Sequence, residues 1–450
     1  MRRLIVFLLM CFLGAVVAAE RPNVVLILSD DQSWTDYSFM GHEVIETPHL
    51  DEFAKESLTY TRGYVTSPLC RPSLASIFTG LHTPVHGITG NDLLDPEAGK
   101  KPVGRGHPKW GAKHEELYKA FEKNPKLAQL LKEAGYLTLQ TGKWWENKPQ
   151  RYGFTHAMTH GDPKRGGRHG DLGLQVSRKG IAPIRGFLDE AKKEKKPFFI
   201  WHAPFLPHTP HNPPQKIYDK YLAKGEEKFV ARYYAMVEWF DQTCGELFAE
   251  LEKRGLEEDT LVIYVTDNGW IQSKGSGRYA PLSKQTPYEM GIRTPLMLRW
   301  PGKIEAGMDR DTLVSSIDIA PTILKVAGVE VPEAMTGLDL RDPAALKKRD
   351  VIFGYDGNHN MRGVNDRTGN METRYVVKGD WKLLLHHPEN YKASTYAGKF
   401  QGHPKNPDGK PELYNVKNDP FEKKNLAAAQ PDKVKELTQA LDEWWSPVER

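Results

Sequence analysis

The chain has 450 residues, 39% of them apolar and 27% charged, and carries a formal net charge of +4. This is the composition of a soluble globular protein, long enough for one large domain plus a smaller one. So slight a charge excess excludes an electrostatic case for nucleic acid or an anionic membrane surface as partner.

Residues 1–19 read as a signal peptide, with Arg2 and Arg3 as the charged start, residues 4–17 as the apolar core, and Val17-Ala18-Ala19 as a small-residue cleavage site. A membrane anchor needs a longer apolar stretch, and Cys11 lacks the small-residue context of a lipidation site. No later segment approaches about eighteen continuous apolar residues. The mature chain is therefore predicted to be secreted or periplasmic, with no stable membrane insertion. Two cysteines remain after the leader, Cys70 and Cys244. In an oxidising compartment they either form one disulfide or have separate fates, Cys70 consumed chemically and Cys244 buried on a helix.

Residues 23–28 (NVVLIL) form an unbroken apolar run, the pattern of a strand buried on both faces of a parallel sheet. Residues 197–201 (PFFIW) and 261–266 (LVIYVT) repeat it, and 295–298 and 351–354 are shorter candidates. Helical spacing of apolar residues lies between them, at 125–134, at 228–253 and at 318–327. Strands alternating with helices predict an α/β fold with a mainly parallel sheet across residues 20–360. From about residue 361 the texture changes. Residues 374–385 read as a hairpin turning at Lys378-Gly379-Asp380, a Gly/Pro/Lys-rich loop occupies 396–411, and a helix is predicted over 431–445. This predicts a C-terminal subdomain, 361–450, with a small antiparallel sheet and a helix.

The first strand runs into Asp30-Asp31 and the strand at 261–266 into Asp267-Asn268-Gly269. Ligands of open parallel sheets bind beyond the carboxyl ends of strands. Adjacent carboxylates there repel unless a cation lies between them, and an all-oxygen donor set favours Ca²⁺ or Mg²⁺ over zinc. Cys70 precedes Pro72, which suits a first helical turn, so the cysteine belongs at a helix N-terminus, where an anion is stabilised.

Taken together, these segments resemble the formylglycine-dependent sulfatases of the alkaline phosphatase superfamily. The resemblance runs in order through Asp30-Asp31, the segment from Cys70-Arg71-Pro72-Ser73 to Thr79-Gly80, Thr141-Gly142-Lys143-Trp144, Pro207-His208-Thr209-Pro210, Asp267-Asn268-Gly269, Lys284, Tyr288-Glu289-Met290-Gly291-Ile292-Arg293, and a tail from Glu412 to Leu426. It implies an alkaline phosphatase-like fold and hydrolysis of sulfate esters. It implies that a maturation enzyme, formylglycine-generating or equivalent, oxidises Cys70 to formylglycine, whose hydrate attacks sulfur and then expels sulfate. Asp30, Asp31, Asp267 and Asn268 would hold the metal. Lys143 and Lys284 would neutralise sulfate oxygens, and His208 would give a proton to the leaving alcohol from a pKa near neutrality.

Two positions depart from the family pattern: Leu74 stands where it has arginine and Trp145 where it has histidine. Three readings remain open: a reshaped site in which neighbours such as Arg71 and His86 take over, an unconverted Cys70 acting as thiolate, or binding without turnover. A phosphodiester or phosphonate monoester hydrolase on the same fold is the nearest rival activity, and a non-catalytic binder of sulfated polymers the rival from another class. Export, with loops rich in Trp, His and Arg, points to a sulfated carbohydrate as substrate. Arg71, Trp145, His160, Arg168, His169 and His359 are the candidate contacts, with Trp144 and His211 as further ones.

Overall fold

The computed structural model describes residues 21–94, 110–161, 172–364, 366–391, 406 and 408–446. The leader, the loop of 396–411 apart from 406 and 408–411, Arg168 and His169 lie outside them.

The apolar run 23–28 becomes the strand Asn23–Ser29, paired in parallel with Phe198–Ala203 on one side and Thr260–Thr266 on the other. Its alternate residues enter two separate cores. Val24, Leu26 and Leu28 join one, and Val25 and Ile27 join the other. The two neighbouring strands divide in the same way, which is why all three read as continuous apolar runs. The helix Lys228–Lys253 covers the second core with Met236, Phe240, Cys244, Leu247 and Leu251, spaced three and four apart along one face. The helices Cys70–Thr79, Leu127–Glu133 and Ile319–Val326 cover the first. Cys70 and Cys244 thus lie on opposite faces of the sheet, both free thiols. The disulfide alternative falls on this separation.

The large sheet runs Val314–Ser315, Leu58–Tyr64, Arg293–Arg299, Thr260–Thr266, Asn23–Ser29, Phe198–Ala203, Leu137–Gly142 and His156–Ala157, with Gly307–Asp309 paired to Leu58–Tyr64. It is mainly parallel. Arg293–Arg299 runs antiparallel to both its neighbours.

The candidate strand at 351–354 belongs elsewhere. Val351–Gly357 pairs with Met371–Lys378 in an antiparallel four-stranded sheet completed by Trp381–His386 and Glu412–Asn415. The small sheet therefore starts ahead of the change in texture near residue 361. One face carries the helix Pro431–Trp444 through Leu437 and Leu441. The other docks Tyr375, Val377 and Leu384 against Tyr64, Tyr288 and Ile292 of the large domain.

Glu412 fastens that junction. Its carboxylate accepts hydrogen bonds from Tyr288 Oη and Tyr414 Oη, both at 2.7 Å, and faces His386 Nε2 at 3.2 Å. Burial pulls the carboxyl up, but the bonds from His386 and Tyr414 outweigh it and hold it at about 2. A carboxyl depressed in the folded state contributes stability above its ordinary pKa and loses it as pH falls toward the folded value. The melting temperature is therefore expected to drop between about pH 4.5 and pH 2. Glu412→Gln is expected to flatten that slope in a thermal melt series; an unchanged slope would remove Glu412 as its source.

Candidate active site

Two acidic turns are stitched together because the strands that end in them are in register, Ser29 beside Thr266. Asp267 N–H donates to Ser29 O at 2.9 Å, Gln32 N–H to Asn268 O at 3.1 Å, and Asp31 N–H to Asp267 Oδ1 at 3.1 Å. Asn268 Nδ2 donates to Asp31 Oδ1 at 2.7 Å. Gly269 permits the turn, since a β-carbon there would lie 1.9 Å from Met290 O.

The lysines arrive from two other segments. Lys143 follows Gly142, where the φ of +75° and a β-carbon position 1.6 Å from Ala203 O admit only glycine. Lys143 Nζ donates to Asp30 Oδ1 at 2.7 Å and to Asp267 Oδ2 at 3.3 Å. Lys284 Nζ donates to both Asp31 oxygens, at 2.5 and 2.7 Å, and to Cys70 Sγ at 3.3 Å. Cys70 is the first residue of its helix and is 1% exposed. His208 completes the group from the turn after Phe198–Ala203, its Nε2 3.4 Å from Asp31 Oδ2.

The ligand atoms of Asp30, Asp31, Cys70 and His208 all lie within 4.8 Å of one another, a cluster that could hold a metal ion. The donor chemistry fits a hard cation. Asp30 Oδ2 and Asn268 Oδ1 are both buried and accept no hydrogen bond from any described residue. With all three carboxyl groups ionised against two lysines, the pocket is one positive charge short.

A family described as Sulfatase matches residues 22–329, and one described as N-sulphoglucosamine sulphohydrolase, C-terminal, matches 277–446. The chain belongs to the sulfatase family. By family it is a sulfuric ester hydrolase. It is 26% identical to an ulvan-active sulfatase of Formosa agariphila over 72% of this chain and 65% of that protein. It is 28% identical to the Homo sapiens N-acetylgalactosamine-6-sulfatase over 77% of this chain and 70% of that one. In fold it is similar to a solved structure described as Ps i-CgsB in complex with k-i-k-neocarrahexaose, with a TM-score of 0.70 at 23% identity, covering 96% of this chain and 94% of that one.

Electrostatics divide the sulfatase site. Burial raises Asp31, but Lys284, His208 and Lys143 outweigh it and hold the carboxyl at about 2. Burial, with Asp30 beside it, pushes Asp267 up to about 7. Burial also pushes the Cys70 thiol up to about 12 against the pull of both lysines. His208 departs from the expected neutral pKa. Burial pushes its imidazole down to about 3, with Asp31 opposing. Thr209 O accepts from Nδ1 at 2.6 Å, which keeps that proton in place and turns the Nε2 lone pair toward Asp31.

Several of the expected sugar contacts are already committed. Arg71 is 1% exposed, and its Nε and Nη2 donate to the two Glu146 oxygens at 2.6 Å each, while Nη1 donates to Asn91 O at 3.1 Å. It clamps the Cys70 helix to the loop after Lys143 instead of facing solvent. His86 Nε2 lies 3.0 Å from Ser76 Oγ and its Nδ1 accepts from Ile88 N–H, so it does not reach Cys70. Trp144 packs edge-on against Phe78, Phe154 and Trp201 in the core. Trp145 is buried near both cations, 5.9 Å from the Arg71 guanidinium and 6.0 Å from Lys143 Nζ. His359 joins the region through Asn91, whose Nδ2 lies 3.4 Å from its Nε2 and whose Oδ1 accepts from Arg71 N–H at 3.0 Å. His160 is half-buried, next to Thr159, whose N–H bonds Gln140 Oε1 at 3.3 Å.

Residues without a motif also build the site. Glu146 holds Arg71, Phe205 stacks on His208 at 4.2 Å between ring centroids, and Trp270 lies 5.6 Å from Lys284 Nζ. Only their positions beside motif residues hinted at this.

Proposed function

We propose that this chain hydrolyses a sulfate ester on a sulfated carbohydrate outside the cytoplasm, with Cys70 as precursor of a formylglycine nucleophile. The observation that carries the reading is the meeting of Cys70, Lys143 and Lys284 with three carboxylates and two unpaired, buried oxygen atoms at one sheet edge. Asp30, Asp31, Asp267 and Asn268 would hold Ca²⁺, or Mg²⁺ in its place, and the cation would offset negative charge on a sulfate oxygen and acidify the nucleophile. Formylglycine would supply a hydrated aldehyde to attack sulfur. Lys143 and Lys284 neutralise the remaining sulfate oxygens, in a buried setting where each charge counts for more than in water. His208, held by its Nδ1 bond to Thr209 O, would take a proton at Nε2 from the attacking hydroxyl and return it to the oxygen of the departing alcohol.

The relatives named for ulvan and for N-acetylgalactosamine-6-sulfate support a carbohydrate substrate. The predicted leader supports export, and no helix among the described residues is long and apolar enough to cross a membrane. The packing of Trp145 on Arg71 and Lys143 supports a reshaped wall beside Cys70, with a maturation enzyme acting on this chain before that wall closes.

Ion chromatography of sulfate released from a panel of sulfated oligosaccharides is expected to find turnover, with a phosphodiester as the contrasting substrate. Peptide mass spectrometry across Cys70, on protein from its natural host, is expected to find formylglycine. Phosphodiester turnover without sulfate release would overturn the substrate, and unmodified cysteine in active enzyme would overturn the nucleophile.

A further inference from the structure

Asp31 adopts φ +66°, a left-handed conformation uncommon for a residue with a side chain. Such a backbone persists only where its surroundings over-determine it. Its N–H is given to Asp267 Oδ1, and its carbonyl lies 3.1 Å from the hydroxyl of Tyr233. Tyr233 belongs to the helix Lys228–Lys253, is 1% exposed, and packs between the rings of His211 at 5.4 Å and Trp270 at 6.4 Å. The same hydroxyl lies 2.6 Å from Asp36 Oδ2 and 3.5 Å from Trp270 O. Asp36 is itself fixed, with Oδ2 accepting from Ser33 N–H at 2.9 Å and its carbonyl from Gln32 Nε2 at 3.2 Å. One phenol thus ties together the turn bearing Asp31, the Asp36 turn and the segment after Asn268.

We propose that Tyr233, standing on Asp36, is a positioning residue of the cation site whose hydroxyl pins the left-handed Asp31 backbone and so aims the Asp31 carboxylate. This rests on the reading that Asp30, Asp31, Asp267 and Asn268 hold a divalent cation. A phenol has one proton and here two close acceptors. Tyr233 Oη is within reach of both Asp36 Oδ2 and Asp31 O, so the one hydroxyl couples the two turns. Without the hydroxyl, the Asp31 carbonyl loses its donor, and the turn is free to relax toward a commoner backbone while the ring packing stays.

The test is Tyr233→Phe, which removes one oxygen from a buried ring. Calcium titration calorimetry on the full mature chain is expected to show a dissociation constant raised about tenfold or more. Hydrogen exchange of peptides across residues 29–36, measured in chelator, is expected to be faster than in the wild type. An unchanged calcium affinity in a wild type that binds calcium overturns the proposal. A wild type that binds neither Ca²⁺ nor Mg²⁺ overturns the cation reading, and exchange then decides the tether alone. Faster exchange in the variant upholds it, and equal exchange overturns it.

Discussion

Cys70→Ala protein is expected to release sulfate on the order of 10⁵-fold more slowly than the wild type, at a nearly unchanged melting temperature. The nucleophile in the proposed mechanism is made from the Cys70 side chain, and among the described residues no second group beside it is fit to replace it. Lys143 and Lys284 are held protonated by the carboxylates they contact, so neither offers a free lone pair. His208 keeps an Nε2 lone pair, but its burial makes that nitrogen a weak base, and it faces Asp31 Oδ2 at 3.4 Å. What survives is sulfate binding and charge neutralisation by the lysines, which alone sustain only a small residual rate. Stability is expected to hold because the side chain at position 70 is small, as thiol or as formylglycine. The donor it releases, Lys284 Nζ, keeps both Asp31 oxygens. Residual activity within about tenfold of the wild type would mean that the reaction does not run through this side chain.

The parts of this molecule legible in the sequence are those where local pattern and final environment coincide. Residues 23–28 and 261–266 are apolar throughout because both faces of their strands are covered, so a short window carries the whole signal. Leu58–Tyr64 and Leu137–Gly142 were not legible as strands. Their buried threonines and Arg62 are satisfied by distant partners, as when Arg62 Nη2 reaches Gly379 O at 2.6 Å and Thr141 Oγ1 reaches Trp201 O at 3.1 Å. The antiparallel course of Arg293–Arg299 was equally hidden, because periodicity reports burial and not direction. Among the site residues, the acidic turns and lysines stand in motifs. Glu146 meets Arg71 across 75 positions of sequence, and Tyr233 meets Asp31 across 202. No local pattern encodes such a contact. The reach of Arg71 was misjudged for the same reason: adjacency to Cys70 says where its Cα lies, not where its guanidinium is spent.

Asp267→Ala is expected to lower sulfate release by roughly 10³-fold, the several kcal/mol that a cation contributes to transition-state charge, and to abolish calcium-dependent stabilisation. Asp267 contributes to the site in three ways. Its Oδ1 accepts from the Asp31 N–H, its Oδ2 accepts from Lys143, and the carboxylate supplies one of the three negative charges facing the cation position. Removing it leaves Asp30 and Asp31 paired one to one with Lys143 and Lys284. That balance lowers the demand for a divalent ion and frees the Asp31 backbone on the side opposite Tyr233. The two effects have opposite signs for the metal-free protein. Relief of carboxylate crowding stabilises it, while the orphaned Asp31 N–H costs about 1–3 kcal/mol. The metal-free melting temperature is therefore expected to move little. The decisive readout is the difference between melts in calcium and in chelator. A ligand that binds only the folded state raises the wild-type midpoint with concentration, and in Asp267→Ala the two melts are expected to coincide. A variant that keeps the calcium shift yet loses activity would place the cation away from Asp267 and leave that carboxylate with a role in holding Lys143.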